Sequence, residues 1–162
     1  MNDREEFYTV RGYEIRQAHN SLSSSMEDYL EMASRLSKDK GYTRINDLAK
    51  ALNVQPPSAS RMVQKLADLN FFNYEKYGVI ELTDQGKQIG EYLLKRHAAI
   101  EEFFKIIGVT DGILEETEKI EHHLSVHTVE QISILVQYLK NNLTVLDNLH
   151  AYQKNILAKS EP

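Results

Sequence analysis

Apolar residues recur along most of the chain at intervals of three and four, the spacing that gathers them on one side of an α-helix. In "SSSMEDYLEMASRL", Met26, Tyr29, Leu30 and Ala33 form such a stripe. In "TRINDLAKALNVQPPSASRMVQKLADLNFFNY", Ile45, Leu48, Ala49 and Leu52 form a first short stripe and Ala59, Met62, Val63, Leu66 and Leu69 a second, with Asn53-Val54-Gln55-Pro56-Pro57 between them. Two short helices joined by a tight turn are predicted. The prolines belong at the start of the second, where a missing N–H costs nothing and φ is already helical. This is the pattern of a helix-turn-helix. "NYEKYGVIELTDQG" then alternates tyrosine and aliphatic residues around Gly78, which predicts a two-stranded hairpin, and Thr83 is placed to cap the helix that follows. Helix, turn, helix and hairpin make a winged helix.

The second half reads as helix throughout. "DQGKQIGEYLLKRHAAIEEFFKIIGV" carries Ile89, Leu93, Ile100, Phe103, Phe104 and Ile107 in one stripe and stops at Gly108, a C-terminal cap. A second segment runs from about Ile113 to Ser125. In a third, Val129, Ile132, Val136, Leu139, Leu143 and Leu146 alternate spacings of three and four, a heptad seam suited to a helical bundle within a subunit or across a dimer. The expected fold is mainly α. It comprises an N-terminal extension over 1–24, a winged helix-turn-helix with a short β-hairpin wing over 25–84, an α-helical domain able to dimerise over 85–150, and a tail over 151–162. A homodimer would present two DNA-reading units to a pseudo-palindromic operator.

Composition narrows the chemistry. No stretch of the 162 residues approaches a membrane span, and the acidic N-terminus "MNDREEFYTV" is unlike a signal peptide, so a cytoplasmic protein with no membrane partner is expected. Cysteine is absent, which removes disulfides, thiolate nucleophiles and sulfur-ligated metals together. The net charge of −5 argues against general affinity for nucleic acid, but it is unevenly spread: residues 43–96 hold eight Lys/Arg against six Asp/Glu, and residues 97–162 hold five against ten. Within the mildly basic middle, Ser58, Ser60, Arg61, Gln64 and Lys65 remain polar once the apolar face of the second helix is set aside. These side chains suit base edges and phosphates. Pro57 at the helix start, and Lys76 and Tyr77 in the wing, complete the candidate DNA contacts. Any small helical domain has a polar face; the adjoining wing is what favours DNA.

"EKIEHHLSVH" holds three of the six histidines. Glu118, Glu121 and His122 are related as i, i+3 and i+4 and share a face, whereas His123 falls about 100° away and His127 lies beyond the helix end. Such a face is either a metal-binding one or an acidic solvated one. Asp28 and Glu31 are likewise i and i+3, yet Ser25-x-x-Asp28 also matches a capping box, in which the carboxylate would merely cap its own helix. His97 lies on a helix that is mostly apolar on one side, where a single histidine is more often a satisfied core or surface residue than a ligand. None of these places decides the matter alone.

Together they resemble a known family. "SMEDYLE", "KGYTRINDLAKAL", "MVQKL", "YEKY", "LTDQGKQIG", "RHAAIEEF", "IIGV" and "IEHHLS" occur in the order and near-spacing of the manganese transport regulators, two-domain members of the diphtheria toxin repressor (DtxR) family of metal-dependent transcriptional repressors. The resemblance covers roughly residues 25 to 140, and DNA-side and metal-side motifs agree. It implies that Asp28, Glu31, His97, Glu118, Glu121 and His122 are metal ligands, with a backbone carbonyl near Glu118, in a two-metal site between a DNA-binding and a dimerisation domain. His123 and His127 receive no such role.

Four carboxylates and two imidazoles, without sulfur, form a hard set suited to six-coordinate Mn²⁺ or Fe²⁺ rather than to tetrahedral Zn²⁺. The iron-responsive relatives resemble one another in a methionine where this chain has Asp28, so Mn²⁺, two per subunit, is the expected cofactor and Fe²⁺ the alternative. The expected function is a non-enzymatic, Mn²⁺-responsive repressor of manganese uptake genes. A carboxylate-bridged two-metal enzyme in a helical bundle would leave the winged helix unexplained and lacks the paired Glu-x-x-His motifs. A regulator sensing an organic ligand would make the acidic face incidental. Three departures stand out. The spacer between His97 and Glu118 is one residue shorter than the family pattern, residues 1–24 are an extension, and no SH3-like third domain is expected.

Overall fold

The computed structural model describes residues 22–74 and 78–160, which divide into two compact units between Gly90 and Glu91. Most of the 1–24 extension, and the wing residues Lys76 and Tyr77, lie outside the described residues.

The first unit opens with helix α1, Ser24–Ser37. Its cap is Ser23, whose Oγ accepts from the Met26 N–H at 3.4 Å. Ser25 is inside the helix, so the capping box that would have employed Asp28 is not the one that starts α1. Strand β1, Thr43–Arg44, leads into α2, Ile45–Ala51, and α3, Pro56–Asp68, with Pro56 and Pro57 opening α3 as their fixed φ favours. The turn between these helices is closed by Asn53 in the left-handed region (φ 53°), a conformation asparagine tolerates, and by the Val54 N–H donating to the Ala49 carbonyl at 2.9 Å.

The wing is a hairpin of β2, Phe72–Tyr74, and β3, Val79–Leu82, antiparallel with Phe72 opposite Leu82. β1 adds to the other edge of β3, Thr43 opposite Ile80, giving the order β1-β3-β2. Two residues are too few to display the alternation that betrays a strand, which is why β1 is not foreseen from periodicity. The core beneath is apolar and fully buried: Leu30 and Ala33 of α1, Leu48 of α2, Ala59, Val63 and Leu66 of α3, and Ile80 of β3 are inaccessible to solvent.

Helix α4, Asp84–Ile106, begins in the first unit and continues into the second. Thr83 caps it as expected, its Oγ1 accepting from the Gly86 N–H at 3.0 Å. Gly86 has no room for a side chain, since a Cβ would run into the Phe71 carbonyl oxygen. At the other end Gly108 adopts φ 88° and Val109 N–H reaches back to the Phe104 carbonyl at 3.0 Å, the glycine cap read from the sequence.

The second unit adds α5, Ile113–Glu121, α6, Val126–Asn141, and α7, Leu143–Ser160. Ile106, Val136 and Leu139 form its buried centre, with Phe103, Ile132, Leu146 and Leu149 against them. From α7, His150 and Gln153 bond to the carbonyls of Ile106 and Ile107 at 2.9 and 2.8 Å, completing the α4 terminus. The heptad seam is not one helix. The chain breaks at Asn142 (φ −128°, ψ 67°), whose side-chain amide donates to the Tyr138 carbonyl at 2.7 Å, and Leu143 beyond the break is 65% exposed. Residues 151–160, assigned to a tail, continue α7. No helix among the described residues is long and apolar enough to cross a membrane.

Candidate metal centre and nucleic-acid interface

In the second unit α4 supplies His97 and α5 supplies Glu118 and Glu121, with His122 as the α5 C-cap. The structure brings these four expected ligands together. His97 Nδ1 donates to Glu121 Oε2 at 3.0 Å and lies 3.7 Å from Glu118 Oε1, and His122 Nε2 lies 3.8 Å from Glu121 Oε1. Both His97 and Glu121 are buried, Glu121 completely, and Glu121 Oε1 has no hydrogen-bond partner. An ionised carboxylate oxygen kept from water without a donor is costly, by about 1–3 kcal/mol or more for a charged group. A cation is what such an oxygen fits. The connection between α4 and α5 leaves Glu118 beside His97.

α5 has another acidic pair, but it is engaged elsewhere. Lys119 Nζ binds Glu115 at 2.7 Å and Glu116 at 3.1 Å; these hydrogen bonds raise the Lys119 pKa, and the one from Lys119 is the main cause lowering that of Glu115. The acidic residues of one helix are thereby divided between a solvated face and an inward one. His123 and His127 are exposed, His127 4.0 Å from Glu130.

In the first unit Asp28 and Glu31 stand one turn apart on α1. Glu31 is buried and its Oε1 accepts from Arg35 at 2.7 Å. Tyr29, between them, has its pKa raised by burial and then by the neighbouring Asp28 charge.

Arg96 is not among the site residues expected from the sequence. It is 4% exposed, and its Nη2 donates to His122 Nδ1 at 3.3 Å. Its signal was present as a second charged residue before His97 in "LLKRHAAI", but nothing in the periodicity distinguished a buried arginine from a solvated one.

On α3, Pro57, Ser58, Arg61, Gln64 and Lys65 are exposed and Ser60 is half-buried. Arg61 Nη2 donates to Ser58 Oγ at 3.5 Å and Gln64 donates to Asp68 at 3.0 Å, both within the helix. Beside the start of α3 a groove is lined by Arg44, Asn46, Pro57, Ser60 and Tyr74. Arg44 and Asn46 were not foreseen, because they belong to β1 and the start of α2 and reach this surface only through the sheet.

The chain matches two family models in succession. The iron dependent repressor N-terminal DNA binding domain covers residues 21–80, and the iron dependent repressor metal binding and dimerisation domain covers residues 83–145. The chain belongs to the iron-dependent repressor family. It is 47% identical over 131 residues to the HTH-type transcriptional regulator MntR of Shouchella clausii (strain KSM-K16), an alignment taking in 80% of this chain and 92% of that one. Among solved structures, the manganese regulator SloR superposes with a TM-score of 0.62 at 30% identity, and ScaR with bound Zn²⁺ with 0.59 at 32%. Each covers 70% of this chain, which spans about half the length of those solved chains (54%). An IdeR from T. acidophilum, at 24% identity and TM-score 0.59, shares the fold.

This family member is a metal-dependent, DNA-binding transcriptional repressor. Its winged helix is the DNA-binding domain, and α4 to α6 lie in the metal-binding and dimerisation domain. Family and relative are transcriptional regulators rather than enzymes, and neither the two-metal enzyme nor the organic-ligand sensor is favoured.

Proposed function

We propose that this repressor responds to Mn²⁺, two ions per subunit, held by Asp28, Glu31, His97, Glu118, Glu121 and His122. The observation that carries the reading is the buried Glu121 carboxylate, with one oxygen on His97 and the other without a hydrogen-bond partner. The donor chemistry supports it: oxygen and imidazole nitrogen without sulfur suit a hard six-coordinate cation, and Mn²⁺, at the weak end of the divalent series, is selected by coordination number and geometry. So do the names of the MntR and SloR relatives. When bound, divalent cations supply positive charge to four carboxylates that otherwise repel one another. Adding four positive charges to the formal −5 of the protomer leaves −1, which eases approach to phosphate.

The chain's own residues do the rest. Asp28 and Glu31 are offered by α1 of the winged helix, and His97, Glu118, Glu121 and His122 by the second unit, so filling the set favours one arrangement of the recognition helices. Metal promotes DNA binding only insofar as it binds that arrangement more tightly. Pro57, Ser58, Ser60, Arg61, Gln64 and Lys65 on α3 meet the operator, with Lys76 and Tyr77 of the wing. Large apolar side chains exposed on α6, Ile134 and Leu135 among them, support a homodimer on a pseudo-palindromic site in the cytoplasm. The genes controlled are those for manganese uptake.

Glu121→Ala tests the reading. Operator binding by this variant is expected to lose its dependence on Mn²⁺ while the fold is retained; Mn²⁺-dependent binding equal to the wild type's would refute it.

A further inference from the structure

The buried Arg96 guanidinium stands against one of the proposed ligands. It has five N–H donors, no acceptor, and is not deprotonated in proteins. Nδ1 of His122, 3.3 Å from Arg96 Nη2, must therefore accept. The neutral ring then carries its proton on Nε2, and this nitrogen faces Glu121 Oε1 at 3.8 Å, where an N–H meets negative charge. The Nδ1 lone pair is engaged by Arg96, and Nε2 is covered by a proton. Neither ring nitrogen is left to ligate.

We propose that Arg96 is a built-in competitor of the metal: in the metal-free protein its guanidinium silences His122, and a divalent cation recruits that imidazole only by opening the Arg96–His122 contact. The inference rests on the reading of His122 as a ligand. It does not depend on which nitrogen the metal takes. Ligation through Nδ1 uses the lone pair that Arg96 occupies. Ligation through Nε2 moves the ring proton to Nδ1, where it confronts an arginine N–H. Both routes separate the pair, so the contact raises the free metal concentration at which the site fills without altering the donor set. A sensor needs such a threshold, because a site that fills at trace metal reports nothing.

Calorimetric titration of the full chain with Mn²⁺ tests this, using Arg96→Met, His122→Gln and the double variant. Methionine keeps the length and apolar body but removes every donor. Arg96→Met is expected to tighten Mn²⁺ binding about tenfold, the worth of one hydrogen bond to a charged group, and to have no effect in the His122→Gln background. If His122→Gln weakens binding but Arg96→Met leaves it unchanged or weaker, the competitor is overturned and the ligand reading survives. If His122→Gln leaves binding unchanged, the ligand reading fails and takes the competitor with it. Nitrogen-15 NMR of the wild-type imidazole gives a check that needs no variant. Metal-free, neutral His122 is expected as the Nε2–H form; the Nδ1–H form would overturn the proposal.

Discussion

Glu121 concentrates the electrostatic conflict of the second unit in one carboxylate. It is wholly buried, it satisfies one oxygen with His97, and it holds the other without a hydrogen bond. Removing its charge therefore has opposite effects on folding and on binding. In chelator, Glu121→Gln is expected to leave thermal stability unchanged or higher, because a buried charge is replaced by a neutral amide of the same shape. The same variant should weaken Mn²⁺ by at least the about 10–100-fold that loss of an outer-shell partner costs. Thermal unfolding and metal titration on one sample check both; a large loss of stability without loss of affinity would make Glu121 a structural residue. The sequence exposed the helical face shared by Glu118, Glu121 and His122, but could not weigh it against Glu115 and Glu116. That distinction depends on Lys119, which pairs with the latter two. Asp28 was ambiguous for a related reason: several serines precede it, and it is Ser23, not Ser25, that caps α1 in the fold.

At the scale of elements, α3 was the most legible because its start and apolar face are both written in local residues: two prolines, then Ala59, Val63 and Leu66 inside. What remains outside is its polar surface. Lys65 is exposed and is suited to phosphate rather than to a base edge. Lys65→Ala should weaken binding about equally on operator and unrelated DNA and lower the salt slope by about one. A loss confined to the operator sequence would instead place Lys65 at a base. The elements that escaped the sequence are those set by distant partners. β1 exists because β3 offers it an edge, and the break at Asn142 interrupts a stripe whose apolar spacing continues into Leu146 on the next helix. Periodicity records which residues are inside, and not whether the backbone between them is continuous.

Over the whole molecule the division of labour was visible early, since a mildly basic middle and an acidic second half correspond to a DNA-binding and a metal-binding domain. Assembly was legible only as a tendency. The exposed Ile134 and Leu135 support a dimer, and Ile134→Glu combined with Leu135→Glu is expected to shift sedimentation equilibrium toward the monomer and to weaken operator binding; an unchanged dimer would locate the interface elsewhere. In the proposed scheme metal controls DNA binding. Fluorescence anisotropy of the wild-type chain on DNA from upstream of its own gene, after chelation and with Mn²⁺, Fe²⁺ and Zn²⁺ restored separately, measures that control. Operator binding is expected to be lost in chelator and regained with Mn²⁺ at concentrations where Zn²⁺ restores it poorly, with Fe²⁺ marking how sharply the donor set discriminates. Equal affinity of the chelated and manganese-loaded protein for the operator would contradict it.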